Sequence, residues 1–240
     1  MQIKGASALV TGAGRGIGRA IALELGKAGA RVTAVARTAS ELESLVAEIR
    51  AGGGEALAFP GDLRLAEVCS AAVDAAVRAH GRLGILVNNA GIGLVAPLAE
   101  TTDEAWDRML GTNLTAVFRV TRAALPHLVA GGGHIFMISS LAGSNPIPGM
   151  SAYCASKAAL DHLAACLMLE VRQKDVKVSV LAPGSVNTTF GDRAASPRDD
   201  TAWMLEPQDL ASAVLYLLRA RDGAHLSRVE LRPARPPKRG

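Results

Sequence analysis

Residues Ala6–Gly18 read ASALVTGAGRGIG and join an apolar run to a glycine-rich turn. The run Ala6–Val10 has the length of a strand, and the apolar residues Ile17, Ile21 and Leu25 after the turn are spaced to share one helix face. Glycines allow positive φ and close approach of a ligand, and the amides at the start of a helix attract a pyrophosphate. The stretch therefore predicts a strand, turn and helix that bind a nucleotide; a tight turn without a ligand is the alternative.

The same alternation of strand and helix patterns continues along the chain. Strand-length runs rich in Val, Ile, Leu and Ala recur at Ala6–Val10, Ala30–Ala36, Glu55–Phe59, Ile85–Val87, His134–Ile138, Val176–Ala182 and Ser227–Leu231. Continuous apolar strands are covered on both faces, and right-handed crossovers place helices there. The pattern predicts an α/β fold with a single doubly wound parallel sheet, Rossmann-like, with helices on both faces. We expect one domain over residues 1–231 and a basic, proline-rich tail over residues 232–240.

Residue types at the helix ends predict where the first two helices stop and start. Gly29 is placed to end the first helix in the left-handed conformation, and the glycines at 52–54 end the second. Thr38 followed by Glu41 matches a capping box at the start of the second helix.

Composition and charge exclude several classes of protein. The 240 residues are 49% hydrophobic and 20% charged, which is typical of a folded globular chain. The formal net charge of +4 equals the four cations of residues 232–240, so residues 1–231 sum to zero. Without a basic stripe, and with 3% aromatic residues, we expect no nucleic acid as a partner. No apolar run reaches the roughly 18 to 20 residues that span a bilayer and no secretory leader is present, so we expect no membrane insertion or secretion.

Cysteine and histidine patterns indicate neither disulfides nor a metal site. Three cysteines in a chain of this size do not read as a disulfide framework and favour a cytoplasmic location. The spacing of the histidines relative to the cysteines and acids does not match a metal-binding motif. We therefore expect each histidine to lie on the surface or to be buried with its hydrogen bonds satisfied. The cysteines are Cys69, Cys154 and Cys166, and the histidines are His80, His127, His134, His162 and His225.

Four segments, in their order along the chain, resemble the short-chain dehydrogenase/reductase family. They are Thr11–Gly18 with the spacing Thr-Gly-x-x-x-Gly-x-Gly, Asn88–Gly91 after the fourth strand, Tyr153–Lys157 in a helical stretch after the fifth, and Pro183–Gly184 after the sixth. The resemblance covers residues 5 to about 190. It implies an oxidoreductase that interconverts a ketone and a secondary alcohol by hydride transfer, acting on a small-molecule carbonyl substrate.

The resemblance also implies a cofactor site at the carboxyl ends of the strands. Asp62 would hold the adenine amino group, although an exposed turn aspartate is the alternative. Asn89 would stabilise the turn beside the cofactor, and the segment after the sixth strand would contact the nicotinamide carboxamide. The full set implied is Gly12, Gly14, Arg15, Gly16, Ile17, Gly18, Arg37, Asp62, Asn89, Ala90, Gly91, Tyr153, Lys157, Pro183, Gly184, Val186 and Thr188.

The end of the second strand bears on which nicotinamide cofactor is bound. Family members that use NAD generally place an acid there for the ribose 2′-hydroxyl, whereas a 2′-phosphate requires cations. This chain has Ala36 in that place, with Arg37 next and Arg15 in the glycine turn. Because guanidinium groups bind phosphate through paired hydrogen bonds, we predict NADP(H); two solvated surface arginines are the alternative.

Tyr153 and Lys157 are four residues apart, which places both side chains on one face of a helix. A nearby ammonium favours the tyrosinate form and makes Tyr153 a better acid–base group near neutral pH. Such a pair also occurs in ordinary amphipathic helices. The other segments that resemble the family are the reason to favour a catalytic role for this pair. The resemblance implies that Tyr153 exchanges a proton with the substrate oxygen, while Lys157 binds the cofactor ribose and returns the proton.

Two further catalytic residues are implied by the resemblance. Ser140 lies thirteen residues before Tyr153, where the family keeps the serine that holds the substrate oxygen, and Ser139 is the competing candidate. Asn113 lies in a helical stretch predicted at Asp103–Leu125 and matches the asparagine whose backbone binds a relay water; a surface asparagine is the alternative.

Departures from the family pattern bear on the substrate. The segment after Gly184 is short, since the next helical pattern begins near Pro207, and the last strand runs into proline-rich residues instead of a glycine-rich end. That ending resembles reductases of small 3-hydroxy acids and 3-oxoacyl reductases. We predict a 3-oxoacyl or 3-hydroxy acid type of substrate. The alternatives are an acyl-carrier-protein-linked 3-oxoacyl reductase of fatty acid synthesis and a non-catalytic NADP(H) sensor.

Charge favours a free substrate over a carrier-linked one. Residues 185–206 contain four acids and two arginines, a net of −2, whereas a surface that docks an acidic carrier should be cationic. The four cations of the tail are the counter-argument. By resemblance, the helical stretches Asp103–Leu125 and Ser151–Val171 would pair with copies of themselves, which predicts a homodimer or homotetramer.

Overall fold

The predicted strands form one sheet in the computed structural model, which describes residues 1–190 and 201–237. The strands are β1 (Ser7–Thr11), β2 (Arg31–Ala36), β3 (Glu55–Pro60), β4 (Ile85–Asn88), β5 (Gly133–Ile138), β6 (Val176–Pro183) and β7 (Arg228–Leu231). All neighbours pair in parallel, in the order β3-β2-β1-β4-β5-β6-β7. Each strand bound lies within one residue of its predicted position, and the doubly wound parallel sheet is confirmed.

Helices cover both faces of the sheet. They are α1 (Gly16–Lys27), α2 (Ala39–Ala51), α3 (Ala66–His80), α4 (Asp103–Leu110), α5 (Ala116–Gly131), α6 (Ser151–Val171) and α7 (Pro207–Arg219). Successive strand residues point to opposite faces, so Ala8 and Val10 of β1 pack in the core under α1, α2 and α7. Leu9 packs in the other core, under α3, α5 and α6. The chain reverses its direction of winding between β3 and β4, which places a crevice at the carboxyl ends of β1 and β4.

Glycines end the first two helices as predicted, but the capping box at the start of α2 is wrong. Gly29 and Gly53 follow α1 and α2 with φ values of 85° and 79°, a region that favours glycine. Thr38 is the N-cap residue of α2, yet its side chain accepts no capping hydrogen bond. The Glu41 side chain, the other half of the predicted box, lies against Gly14 in the glycine turn.

The helical stretch predicted at Asp103–Leu125 is longer and interrupted. A π-helical turn, Gly111–Thr115, separates α4 from α5, and α5 continues through Pro126 to Gly131. Pro126 removes one hydrogen bond from the helix, but it lies on an exposed face where water can bond the carbonyl that loses its partner. The other long stretch, Ser151–Val171, forms α6 as predicted.

The tail leaves β7 at the carboxyl ends of the strands, where the crevice also lies. The Gly184 amide donates to the Leu231 carbonyl (2.8 Å), and a Cβ on Gly184 would lie 3.1 Å from Pro233 Cδ. The boundary at 231 between the domain and the tail stays a prediction. Within residues 1–190 and 201–237, no helix combines the length and the apolar character that crossing a membrane requires.

Candidate active site

The glycine turn is clamped to the end of β4. Asn89 donates from Nδ2 to the carbonyls of Thr11 (3.0 Å) and Gly12 (3.1 Å). The Thr11 hydroxyl donates to the Val87 carbonyl (3.2 Å) and accepts from the amides of Asn89 and Ala90, each at 3.0 Å. Gly12 has a φ of 64°, and a Cβ there would lie 2.8 Å from Ala90 Cα. These contacts set the turn and Asn89 side by side.

The first turn of α1 presents amides that suit an anion. Arg15 is the N-cap residue and its side chain makes no capping hydrogen bond. Gly16 has a φ of 56°, and a Cβ there would lie 3.2 Å from Thr188 Cγ2, so the segment after β6 closes over the turn. A Cβ on Gly18 would collide with the Gly12 carbonyl. The donor set and the close packing fit a pyrophosphate at this helix start.

Two arginines and an aspartate lie just beyond the carboxyl ends of β1, β2 and β3. Arg15 and Arg37 are exposed, and neither forms an ion pair within the part of the chain that the structure describes. Asp62 accepts from Arg64 at both carboxylate oxygens, with Nη2 at 2.6 Å from Oδ2, and from the Arg64 amide at 3.0 Å. The Arg64 hydrogen bonds lower the pKa of Asp62. A ligand amino group must therefore share Asp62 with Arg64.

Glu41 is a site residue that sequence reasoning did not assign. Its carboxylate lies so close to Gly14 that a Cβ on the glycine would collide with it. The acid beside the turn thus comes from the first turn of α2 and not from the end of β2, where Ala36 stands. A signal was present, because Glu41 follows the strand by five residues, but the capping-box pattern assigned it to another role.

Helix α6 brings Tyr153 and Lys157 together. Lys157 Nζ lies 5.8 Å from the centroid of the Tyr153 ring, and the two residues are 4% and 8% exposed respectively. The ammonium donates to the Ile138 carbonyl (2.9 Å), two residues before Ser140. Burial lowers the pKa of Lys157 to about 8, while the carboxylate of Asp161 acts in the opposite direction. The ammonium is therefore buried beside the phenol and can release its proton near neutral pH.

Asn113 lies in the π-helical turn and is fully buried. Its Oδ1 accepts from the Ile92 amide (2.8 Å) and its Nδ2 donates to the Ile92 carbonyl (2.9 Å) and to Ser156 Oγ (3.0 Å). Ser156 Oγ donates to the Tyr153 carbonyl (2.7 Å). The surface alternative for Asn113 is wrong, because the residue is buried and its side chain ties the loop after β4 to α6.

The two serines after β5 differ in their surroundings. Ser139 is 3% exposed, and its buried Oγ has no hydrogen-bond partner among the described residues. Ser140 is half-buried and begins the short 3₁₀ turn Leu141–Gly143, where its Oγ accepts from the Ala142 amide (3.1 Å). Ser140 therefore remains the candidate for contact with a substrate.

The segment after β6 completes the site. Pro183 is buried at the end of β6, and Val186 pairs with Leu205 through an isolated bridge. Phe190, which sequence reasoning did not assign, lies with its ring centroid 5.8 Å from that of Tyr153. A Cβ on Gly93 would lie 2.7 Å from Phe190 Cε1, so Gly93 makes room for this ring beside the phenol.

One cysteine lies beside Tyr153: Cys154 packs against the small apolar cluster that contains the tyrosine. The described residues hold no group of three His, Cys, Asp or Glu side chains arranged for a metal ion. The prediction that every buried histidine has its hydrogen bonds satisfied is wrong for His80, whose Nε2 is buried without a partner in the described ranges. Burial lowers the pKa of His80, and the positive charge of Arg31 acts in the same direction.

Comparison with known proteins connects this geometry to one family. A family profile described as short chain dehydrogenase matches residues 6–199. D-erythrulose reductase of Gallus gallus is 38% identical over 229 residues, which is 91% of this chain and 90% of that protein. L-xylulose reductase of Bos taurus is 36% identical over 232 residues, 92% of each chain. A 2,5-dichloro-2,5-cyclohexadiene-1,4-diol dehydrogenase of Sphingobium indicum is 39% identical over 226 residues, 90% of each.

Solved structures are similar over nearly the whole chain. A metagenomic short-chain oxidoreductase in complex with NADP has a TM-score of 0.86 and 39% identity, with 98% of this chain and 100% of that chain covered. An alcohol dehydrogenase of the archaeon Thermococcus sibiricus, complexed with 5-hydroxy-NADP, has a TM-score of 0.90, 30% identity and coverage of 98% and 99%. A 7α-hydroxysteroid dehydrogenase complexed with NADH has a TM-score of 0.88, 30% identity and coverage of 96% and 94%.

Proposed function

Because the chain belongs to the short-chain dehydrogenase/reductase family, whose members are oxidoreductases acting on CH–OH groups, we propose that it reduces a ketone with NADPH and catalyses the reverse oxidation with NADP⁺. The observation that carries the proposal is the buried Tyr153–Lys157 pair, with Nζ 5.8 Å from the phenol ring. The alternative of a non-catalytic sensor has no support from these residues, since a sensor does not require a buried ammonium beside a phenol.

The preference for NADP(H) over NAD(H) rests on charge at the adenosine end of the crevice. Arg15 and Arg37 are exposed cations without ion pairs in the described part of the chain, and Ala36 presents no acid at the end of β2. A 2′-phosphate between two guanidinium groups would gain charge-assisted hydrogen bonds. The structural relatives hold both cofactor types, with NADP in one and NADH in another, so the preference belongs to this chain's own residues.

Each catalytic side chain then has a defined task. The bound nicotinamide would supply or accept the hydride at the carbonyl carbon. Tyr153 would give its proton to the ketone oxygen, or remove it from the alcohol, and Ser140 Oγ would orient that oxygen. Lys157 would favour the phenolate through its charge and return the proton to Tyr153. Asn113 would support the return path, since its side chain holds the π-helical turn beside the catalytic helix.

The substrate that we propose is a 3-oxoacyl or 3-hydroxy acid compound that is not linked to a carrier protein. The support is the sequence that follows β7, where Arg232 and Pro233 replace a glycine-rich end. The relatives in Gallus gallus and Bos taurus are named as reductases of erythrulose and xylulose, so ketoses belong in the first assays. NADPH oxidation with a panel of 3-oxo acids, 3-oxoacyl thioesters and ketoses tests the assignment. Reduction of none of these ketones would overturn the proposed activity.

The carrier-linked alternative depends on cations at the mouth of the crevice. Five of the charged residues that favoured a free substrate, Asp192, Arg193, Arg198, Asp199 and Asp200, lie outside the described residues, as do Lys238 and Arg239 of the tail. Pro233 lies against Gly184, so the tail starts beside the site. A carrier-linked thioester with a kcat/KM at least about tenfold above that of the same acyl group on a small thiol, lost at high salt, would favour the carrier.

We also propose a homodimer or homotetramer, in the cytoplasm. Phe118 of α5 and Leu169 of α6 are 43% and 62% exposed, which leaves apolar side chains on the helices that the family resemblance pairs between subunits. The three cysteines are free, as a reducing compartment favours. Light scattering at micromolar concentration tests the assembly, and a single species of 24.8 kDa would contradict it.

A further inference from the structure

A branched set of hydrogen bonds lies behind the catalytic residues. Arg228, the first residue of the edge strand β7, donates from Nη1 to Asp161 Oδ2 (2.8 Å) and from Nη2 to Ser144 Oγ (2.9 Å). Asp161 is on α6, one turn beyond Lys157. Ser144 directly follows the short turn that begins at Ser140. One guanidinium therefore joins three elements: the catalytic helix, the serine turn and the edge strand.

The serine turn also packs directly on this part of α6. A Cβ on Gly143 would lie 2.7 Å from Asp161 Oδ2 and 3.1 Å from the Lys157 carbonyl, so the turn can approach the helix this closely because the residue is glycine. The turn is closed by the Gly143 amide, which donates to the Ser140 carbonyl (3.0 Å). Its position along α6 is thus fixed by the glycine contact and by the Arg228 bridge.

Asp161 is shielded from solvent more than the other members of the described ion pairs. Its side chain is 14% exposed and its Oδ1 is buried without a hydrogen-bond partner, while Arg228 is 34% exposed. Exposed ion pairs contribute little, but removing one partner of a shielded pair leaves a charge that solvent stabilises poorly. The carboxylate of the Arg228–Asp161 pair is therefore better shielded than that of a surface pair such as Arg19–Glu48, and loss of its cation should cost more.

The same carboxylate acts on Lys157. Asp161 faces it from one turn along α6, and the phenol of Tyr153 faces it from the other side. Arg228 reaches the pair from β7, on the far side of Asp161. The groups that β5 and the loop after β4 present to Lys157, the Ile138 carbonyl and Gly91, are uncharged. Asp161 thereby favours the charged form of a lysine that burial disfavours.

We propose that Asp161 and Arg228 are positioning residues, which hold the Ser140 turn against the helix that carries Tyr153 and Lys157. The inference rests on the proposed function, because it takes Ser140 and Lys157 as the groups to be positioned. Arg228 acts through Ser144 and Asp161 and touches no reacting atom. Its loss would leave the glycine contact alone to fix where the Ser140 hydroxyl stands.

Replacing the guanidinium tests the positioning role. Arg228→Met keeps most of the aliphatic stem and removes both hydrogen bonds, and a displacement near 1 Å costs on the order of 100-fold in rate. We expect kcat to fall about 10- to 100-fold while the NADPH dissociation constant stays within about twofold, and Arg228→Lys to recover part of the loss. The matched control is Arg19→Met, which breaks a 2.6 Å ion pair between α1 and α2. A kcat for Arg228→Met equal to that of the control would overturn the proposal.

Asp161→Asn supplies a readout that a purely structural role would not move. The substitution keeps the shape of the side chain and removes the charge that favours the protonated form of Lys157. The pKa of Lys157, about 8 in the native protein, would then be lower. The alkaline limb, where ketone reduction falls as Lys157 loses its proton, should move to lower pH in this variant. A limb at the same pH as in the wild type would contradict the proposal.

Hydrogen exchange of the cofactor-free protein separates this inference from the proposed function. The amides of Gly143 and Ser144 close the serine turn, and they should exchange at least about tenfold faster in Arg228→Met, while amides of α1 keep their rates. If the wild type reduces no ketone, the proposed function fails and the exchange rates still decide the positioning role. If the wild type is active and kcat and exchange match the control, the positioning role fails alone. If Arg228→Met does not fold, Arg228→Lys and Asp161→Asn decide by the same measurements.

Discussion

The Nδ2 group of Asn113 donates a hydrogen bond to Ser156 Oγ at 3.0 Å, which joins the π-helical turn to α6. The same side chain bonds both backbone groups of Ile92. The wider π turn brings Asn113 into reach of these partners, and its amide is satisfied at both ends in a fully buried position. Asn113 therefore holds the loop after β4 at a fixed distance from the helix of Tyr153.

Asn113→Ala should destabilise the fold. The substitution leaves the amide and carbonyl of Ile92 without their partners, and each unsatisfied buried group costs about 1 to 3 kcal/mol. We expect the free energy of unfolding to fall by about 2 kcal/mol or more in urea titrations. Asn145→Ala is the control, because the exposed Asn145 side chain donates one hydrogen bond, to the Leu141 carbonyl. Equal unfolding midpoints for the two variants would contradict the structural role of Asn113.

Arg37→Ala should separate the two nicotinamide cofactors. Losing a charge-assisted contact costs roughly 1.5 to 3 kcal/mol, so NADPH should bind about 10- to 150-fold more weakly while NADH binding changes little. Fluorescence titration measures both affinities. Arg50→Ala, at the other end of α2, is the control and should bind both cofactors as the wild type does. The charge argument fails if the wild type itself binds NADPH and NADH equally.

Glu41→Gln should tighten cofactor binding. The Glu41 carboxylate lies against Gly14, beside the helix start that suits a pyrophosphate, and a like charge there opposes the ligand. Removing it should strengthen NADPH binding about two- to fivefold, more at low salt than at high salt. Glu43→Gln, an exposed change on the same helix, is the matched control. Weaker NADPH binding in Glu41→Gln would show that the carboxylate bonds to the cofactor.

Local sequence patterns predicted the strands, and the family resemblance supplied the candidate site residues. Continuous apolar runs identify buried parallel strands, and the spacing of Tyr153 and Lys157 is set by the geometry of one helix. The π-helical turn could not be predicted, because it depends on what Asn113 contacts at Ile92 and Ser156, in other elements. The family resemblance is what suggested a role for Asn113, and contacts with other elements set its backbone conformation.

Local sequence patterns could not predict contacts between segments that are distant along the chain. Arg228 and Asp161 are 67 positions apart, and their meeting depends on β7 pairing with β6 beside α6. Thr38 and Glu41 show the opposite case. Their spacing matches a capping box, but in the fold the Glu41 side chain lies against Gly14 and the box does not form. The Asp62–Arg64 ion pair spans only two positions but was not predicted, and a ligand at Asp62 must compete with it.

Acid should destabilise the protein through His134. Burial lowers the pKa of His134 to about 3, with the positive charges of His225 and Lys177 acting in the same direction. An unfolded histidine has a pKa near 6.5, so the folded state resists protonation that the unfolded state accepts. The resulting stabilisation is complete above about pH 6.5 and is lost as the pH falls from there toward about 3, by up to roughly 1.4 kcal/mol per pH unit.

His134→Gln tests this pH dependence. Ser179 Oγ donates to the Leu226 carbonyl (2.7 Å), so His134 Nε2 donates to Ser179 Oγ (2.8 Å), a bond that glutamine can replace. The difference in unfolding free energy between the wild type and the variant should shrink by about 2 to 3 kcal/mol between pH 7 and pH 4.5. A difference that is constant over this range would show that His134 does not remain neutral.

The most direct measurement is the turnover of Tyr153→Phe with NADPH and a ketone that the wild type reduces. The variant loses the hydroxyl alone and keeps the ring beside Lys157 and Phe190. A general acid contributes about 10²- to 10⁴-fold, so kcat should fall by that factor while the NADPH dissociation constant stays close to that of the wild type. Turnover within a few-fold of the wild type, with NADPH still bound, would contradict the assignment of Tyr153 as the proton donor.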